Sequence, residues 1–172
     1  MGIRLNNPPQ NIVVAGFMGA GKTTIGRELA SQLCFEFVDT DHLIVERVGK
    51  SIVQIFADDG EPTFRQYENA LVEELAVKSG QVIATGGGML VNPLNRENFM
   101  RTSLVVFLDT PPEAIEARLQ RDKSRPLAPH WRALYEQRRP AYEAIPHHIQ
   151  PNDRPVQSIV EEIIQLWQRQ LK

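Results

Sequence analysis

The stretch Ile12-Val13-Val14-Ala15-Gly16-Phe17-Met18-Gly19-Ala20-Gly21-Lys22-Thr23-Thr24 joins an unbroken apolar run to a glycine-rich turn that ends in a lysine and two threonines. Such a run reads as a strand buried on both faces, and a helix is expected to open at Lys22. Glycines at this junction let successive backbone N–H groups curl around phosphate oxygens, and the helix adds the positive end of its dipole. Lys22 reaches the terminal phosphates as a point charge, and the Thr23 hydroxyl completes a Mg²⁺ shell. Gly19, Ala20, Gly21, Lys22, Thr23 and Thr24 are therefore expected to hold a nucleoside triphosphate, ATP or GTP. The plain alternative, a glycine-rich turn carrying a surface lysine, does not account for the strand-to-helix placement.

Outward from that junction, strands alternate with helices. Strands are expected at Asn11–Ala15, Phe35–Val38, Gln81–Ala84, Leu104–Leu108 and His147–Ile149. Helical patterns run near Lys22–Leu33, Asp41–Val48, Val53–Phe56, Thr63–Lys78, Pro93–Met100, Pro112–Arg121, Arg132–Ala144 and Pro155–Leu171. Pro112 and Pro155 suit first-turn positions, and Asp153 is a candidate cap for the last helix, whose apolar face is Val156, Ile159, Val160, Ile163, Ile164 and Trp167. The alternation predicts a three-layer α/β/α domain over residues 1–172 with the ligand at the carboxyl edge of a parallel sheet.

Composition narrows the classes. With 172 residues, 42% of them hydrophobic, and a net charge of −2, the chain has material for a core but no basic surface for nucleic acid and no apolar run long enough for a membrane span. The N-terminal segment lacks a hydrophobic signal core. The single cysteine, Cys34, cannot form an internal disulfide, which fits a cytoplasmic protein, and reads as a small buried hydrophobe.

Nucleotide binding leaves open what becomes of the γ-phosphate, and five further features bear on it. Asp39 and Asp41 end the second strand at a spacing that puts both carboxylates on one side of extended backbone, one to orient Mg²⁺ and one to accept a hydrogen bond from an attacking hydroxyl. Helix capping by Thr40 or Asp41 is the alternative. Arg65, flanked by Phe56 and Phe64, either pairs with Glu61 and Glu68 along its helix or grips a substrate carboxylate between apolar walls. Gly86, Gly87 and Gly88 form a run whose backbone entropy cost a plain turn rarely justifies, so close approach to a ligand is expected. The basic stretch Arg118 to Leu127 reads as a lid, over about 121–131, whose Arg125 closes on the phosphates, or as a solvated helix end. Arg138 is a second candidate carboxylate clamp. His130, His147 and His148 fit none of these clusters and read as structural or exposed.

These motifs, in this order, resemble the shikimate kinase family: Gly16-x-Met18-Gly19-x-Gly21-Lys22-Thr23-Thr24-x-Gly26, Asp39-Thr-Asp41, Phe56-x-x-x-Gly60-Glu61-x-x-Phe64-Arg65-x-x-Glu68, Gly86-Gly-Gly88, Arg125-Pro-Leu127 and Arg138-x-Pro-x-Tyr142. The resemblance implies a nucleoside-monophosphate-kinase-like fold with a five-stranded parallel sheet, a monomer, and phosphorylation of the shikimate 3-hydroxyl by ATP on the route to chorismate and the aromatic amino acids. Carried over by position, Asp41, Arg65, Gly87 and Arg138 hold shikimate, with the two arginines on its carboxylate. Thr23 and Asp39 place Mg²⁺, Lys22 and Arg125 neutralise the transferring phosphoryl, and Arg118 stacks on adenine, with Arg154 beside it. The segment between Leu127 and Trp131 is shorter than in many members. A kinase of another polyol acid such as gluconate, or a silent relative that only binds nucleotide, are the competing readings.

Overall fold

The computed structural model describes residues 9–121 and 129–172. Within them five strands alternate with helices: β1 (Asn11–Ala15), α1 (Lys22–Leu33), β2 (Glu36–Asp39), α2 (Thr40–Val48), α3 (Ile52–Asp58), α4 (Glu61–Ala76), β3 (Gln81–Ala84), a short 3₁₀ turn at Met89–Val91, α5 (Pro93–Thr102), β4 (Ser103–Leu108), α6 (Pro112–Arg121), α7 (Trp131–Glu143), β5 (His147–Ile149) and α8 (Val156–Gln170).

All strands run parallel in the order β2-β3-β1-β4-β5, which puts β1 at the centre. Every β1 residue is buried, as a strand sandwiched between helix layers must be. Its side chains alternate between two cores. Val13 and Ala15 join Leu71, Val72 and Leu75 of α4, Phe99 of α5 and Tyr135 and Tyr142 of α7. Ile12 and Val14 face Ile25 and Leu29 of α1 and Ile159, Val160 and Ile163 of α8. Strand order reverses direction at β1, so the loops after β1, β2 and β3 open into one crevice at the carboxyl edge of the sheet.

Element positions agree with the sequence pattern to within a residue or two at most ends, and three local expectations fail. Asp153 does not cap α8. It sits at φ 54° in the turn before the helix, and Pro155 occupies the cap position rather than the first helical turn. The turn is held instead by Arg154, whose guanidinium reaches Gln150 O and Ser158. Cys34 is exposed, because it ends α1 in a left-handed conformation that turns its side chain away from the core. Finally, β2 stops at Asp39 and Thr40 already belongs to α2, so Asp39 and Asp41 are not a pair on extended backbone.

Candidate active site

The phosphate loop takes its shape from backbone that only glycine adopts readily. Gly19 and Gly21 lie at φ 74° and 99°. Gly26, two residues into the motif beyond Thr24, has a packing role instead, since a β-carbon there would stand 2.7 Å from the Phe37 ring. Lys22 Nζ spans the loop, donating to Gly16 O at 2.8 Å and Phe17 O at 2.9 Å, which holds the ammonium over the cradle. Arg118 of α6 donates to Gly19 O at 3.0 Å and so lies along the loop's outer rim.

A cavity of about 910 Å³ opens above this loop. Its walls include Gly19 through Thr24, Asp39, Asp41, Gly87, Arg118 and Arg154, residues from five separate segments. Asp39 and Asp41 thus share a cavity by a different route from extended alternation: one ends the strand and the other starts the helix. Asp39 is also the true cap of α2, accepting from His42 N at 3.1 Å with Oδ1. Its Oδ2 accepts from the Thr23 hydroxyl at 3.3 Å. Two hard oxygen groups side by side at a phosphate cradle suit Mg²⁺, which takes few protein ligands and completes its shell with phosphate and water. Thr40 turns the other way and accepts from Gly86 N at 2.9 Å, tying α2 to the triple glycine.

Three charged side chains, Asp41, Arg65 and Arg138, converge on the triple glycine. A β-carbon on Gly86 would overlap Asp41 Oδ1, one on Gly87 would lie 3.2 Å from Arg138 Nη1, and one on Gly88 would lie 2.5 Å from Arg65 Nη1. The crowding that favours glycine here comes from the protein's own charged side chains, not from the ligand that the sequence led us to expect. Arg65 makes both helix pairs open to it, with Glu61 at 2.9 Å and with Glu68 at 2.7 Å. Arg138 makes no ion pair among the described residues; its guanidinium lies 5.8 Å above the Phe17 ring. Burial lowers its pKa, and the like charge of Arg65 pushes the same way against Tyr142 and Glu68. A half-buried cation with no direct ion pair among the described residues has donors left to offer a carboxylate.

Glu68 is the residue whose importance the motif alone did not reveal. It lies on the buried face of α4 with Phe64, Leu71, Val72 and Leu75, and a carboxylate in an apolar stripe was the available signal. Burial raises its pKa, which Arg65 opposes and Asp41 reinforces. Arg65 is itself disfavoured by burial, yet its bonds to Glu68 and Glu61 raise its pKa overall. Phe56 and Phe64 pack on each other with ring centres 5.0 Å apart, and Arg65 lies 5.5 Å from the Phe64 ring; none of the three lines the cavity. Arg154 reaches the cavity but is also bound to Glu162 at 2.7 Å. Arg125 and most of the lid stretch lie outside the described residues. His147 is engaged by Gln170 at 2.8 Å, His148 stacks edgewise on Phe107, and His130 is exposed at the start of α7.

A profile of the shikimate kinase family matches residues 18–168. The chain belongs to the shikimate kinase family. The shikimate kinases of Caldanaerobacter subterraneus subsp. tengcongensis and Pelotomaculum thermopropionicum are 37% and 40% identical, over 92% and 90% of this chain and 96% and 94% of theirs. Among solved structures, shikimate kinase from Acinetobacter baumannii in complex with shikimate superposes with a TM-score of 0.85 at 38% identity, covering 98% of this chain and 97% of that one. A gluconokinase from Sinorhizobium meliloti shares the fold alone, with a TM-score of 0.59 at 18% identity. The P-loop kinase fold with its five-stranded parallel sheet is thus common to this shikimate kinase family member and its solved relatives. No helix among the described residues is long and apolar enough to cross a membrane.

Proposed function

We propose that the chain phosphorylates the 3-hydroxyl of shikimate with ATP and Mg²⁺, giving shikimate 3-phosphate and ADP on the route to chorismate and the aromatic amino acids. The observation that carries this reading is Arg138: a half-buried guanidinium with no ion pair among the described residues, against Gly87 and over Phe17 of the phosphate loop. A small anionic triol needs that arrangement, and a neutral sugar does not.

Arg138 and Arg65 take the substrate carboxylate, with the backbone of Gly86, Gly87 and Gly88 closing around the ring. Phe56 and Phe64 back Arg65. Asp41 receives the hydrogen bond of the attacking hydroxyl and takes its proton as the new oxygen–phosphorus bond forms and the bridging oxygen departs with ADP. Lys22 follows the negative charge on the phosphoryl oxygens, and Arg125 joins it from the lid. Gly19, Ala20, Gly21, Thr23 and Thr24 seat the phosphates, with Arg118 and Arg154 on the adenosine side. Thr23 and Asp39 hold Mg²⁺, which when bound neutralises charge on the β- and γ-phosphates. Catalysis of this kind is chiefly alignment and electrostatics, so the fixed setting of these groups is the main contribution. The protein works as a single-domain, cytoplasmic monomer.

Coupled ADP release with Mg-ATP tests the reading. Shikimate is expected to stimulate turnover strongly, and gluconate and nucleoside monophosphates are not. Stimulation by gluconate, or by none of them with ATP still bound, would overturn it.

A further inference from the structure

The Tyr142 hydroxyl stands within reach of two carbonyls from two different loops. It meets Gly87 O closely and lies 3.4 Å from Gly16 O. A phenol has one proton and donates one hydrogen bond at a time. The Gly16 carbonyl also accepts the Lys22 ammonium, at 2.8 Å. Gly16 opens the phosphate loop, and Gly87 is the middle of the triple glycine, against Arg138. The Tyr142 ring is fixed: it is 3% exposed and stacks on Phe107 with centres 5.0 Å apart and planes 7° apart. Only the O–H is left to rotate. Burial pushes the phenol up to about 12, so the proton stays on the oxygen at ordinary pH.

We infer that the Tyr142 hydroxyl is a two-position donor that couples the nucleotide loop to the acid-substrate loop. When Lys22 is drawn onto a phosphate, the Gly16 carbonyl loses that ammonium and takes the Tyr142 proton instead. Gly87 O then gives up its donor, and the loop carrying it resettles against Arg138. Covalent bonds are unchanged throughout; one hydrogen bond is exchanged for another. With shikimate as the acid, as proposed above, nucleotide and shikimate affinities become mutually dependent through one positioning residue, and the dependence is reciprocal.

Calorimetric titration of shikimate with and without a non-hydrolysable ATP analogue tests the coupling in wild type, Tyr142→Phe and Tyr135→Phe. Wild type is expected to change its shikimate affinity by about fivefold or more when nucleotide is present. Tyr142→Phe keeps the stacked ring and is expected to reduce that change to within about twofold. Tyr135→Phe removes another buried hydroxyl of α7, one aimed at Thr110 O, and is expected to retain the wild-type coupling. Equal coupling in wild type and Tyr142→Phe, loss of coupling in both variants, or none in wild type would overturn the inference. A measurement without any variant stands beside these: nucleotide alone is expected to move the amide resonances of Gly87 and Gly88 in wild type, and unmoved resonances would also overturn it. Shikimate turnover by wild type is read in the same samples. Absent turnover counts against the proposed function, whereas normal turnover with unaltered coupling in Tyr142→Phe counts only against the two-position hydroxyl.

Discussion

Asp41 lies so close to Gly86 that no side chain fits between them: an added β-carbon would overlap Asp41 Oδ1 and stand 3.0 Å from its Cγ. Gly86 does not need glycine for its backbone angle, so the constraint is steric alone. Gly86→Ala is expected to push the Asp41 carboxylate off its station. Turnover should fall by about 100-fold or more, in line with loss of a placed proton acceptor, while nucleotide affinity stays unchanged. Steady-state kinetics beside nucleotide titration checks this, and near-normal turnover would remove Asp41 from the reaction.

Arg65 and Arg138 are both proposed carboxylate clamps but sit in different electrostatic settings, and their removal should separate binding from stability. Each change to alanine is expected to cost about 1.5–3 kcal/mol of shikimate binding with ATP binding retained. Arg65→Ala also strands Glu68, so it should lower folding stability by about 1–3 kcal/mol. Arg138→Ala deletes a half-buried cation without an ion pair among the described residues and should stay within about 0.5 kcal/mol of wild type. Denaturant melts and shikimate titrations on the two variants decide the matter; equal stability loss in both would contradict it.

The stability loss in Arg65→Ala carries a pH signature. Glu68 has a raised pKa, from burial first, so its contribution to stability is full below the ordinary carboxyl range and is lost as pH rises through the folded value. Arg65 limits that loss in wild type. The destabilisation of Arg65→Ala should therefore be larger at neutral pH and shrink in mild acid as Glu68 takes up a proton. A pH series of melts would show the two curves converging towards acid, and parallel curves would refute it.

Asp39 combines a structural and a proposed metal role on different oxygens, which one substitution can part. Asn caps helices about as well as Asp, so Asp39→Asn should change stability by less than about 0.5 kcal/mol. It removes the negative charge beside Thr23, so the Mg²⁺ concentration for half-maximal activity should rise by about tenfold, the scale of one charge-assisted contact. Magnesium titration of activity, with a melt as control, tests both halves.

At the surface, Glu74 joins Arg47 of α2 to Lys78, just beyond α4, and the hydrogen bond from Arg47 leads in holding its carboxyl down to about 2. A depressed carboxyl contributes stability above its ordinary pKa and loses it as pH falls through the folded value. Because the groups are substantially exposed, Glu74→Gln should cost only about 0.2–1 kcal/mol at neutral pH. That difference should shrink from pH 4.5 towards about 2. A cost that persists undiminished in acid would show that charge is not its origin.

The local chemistry of this chain determined much of the outcome. Strand β1 and the phosphate loop follow from an apolar run meeting Gly19, Gly21 and Lys22, because backbone preference and hydrogen-bond demand act within a few residues. The ordered motifs also marked Asp41, Arg65, Gly86–Gly88 and Arg138 as one set. What neighbours across the chain decide was not legible. Asp39, not Thr40 or Asp41, caps α2 because β2 ends there, and the end of a strand is set by its partner β3. Gly86 to Gly88 are small because Asp41, Arg138 and Arg65, distant in sequence, press against them. Glu68 is buried because α4 packs its Phe64 face against the sheet, and Tyr142 spans two loops only because α7 crosses both. Helices and turns rest on interactions a few residues apart, whereas strand ends, burial, counter-charge and the sharing of one hydroxyl exist only once the layers have closed.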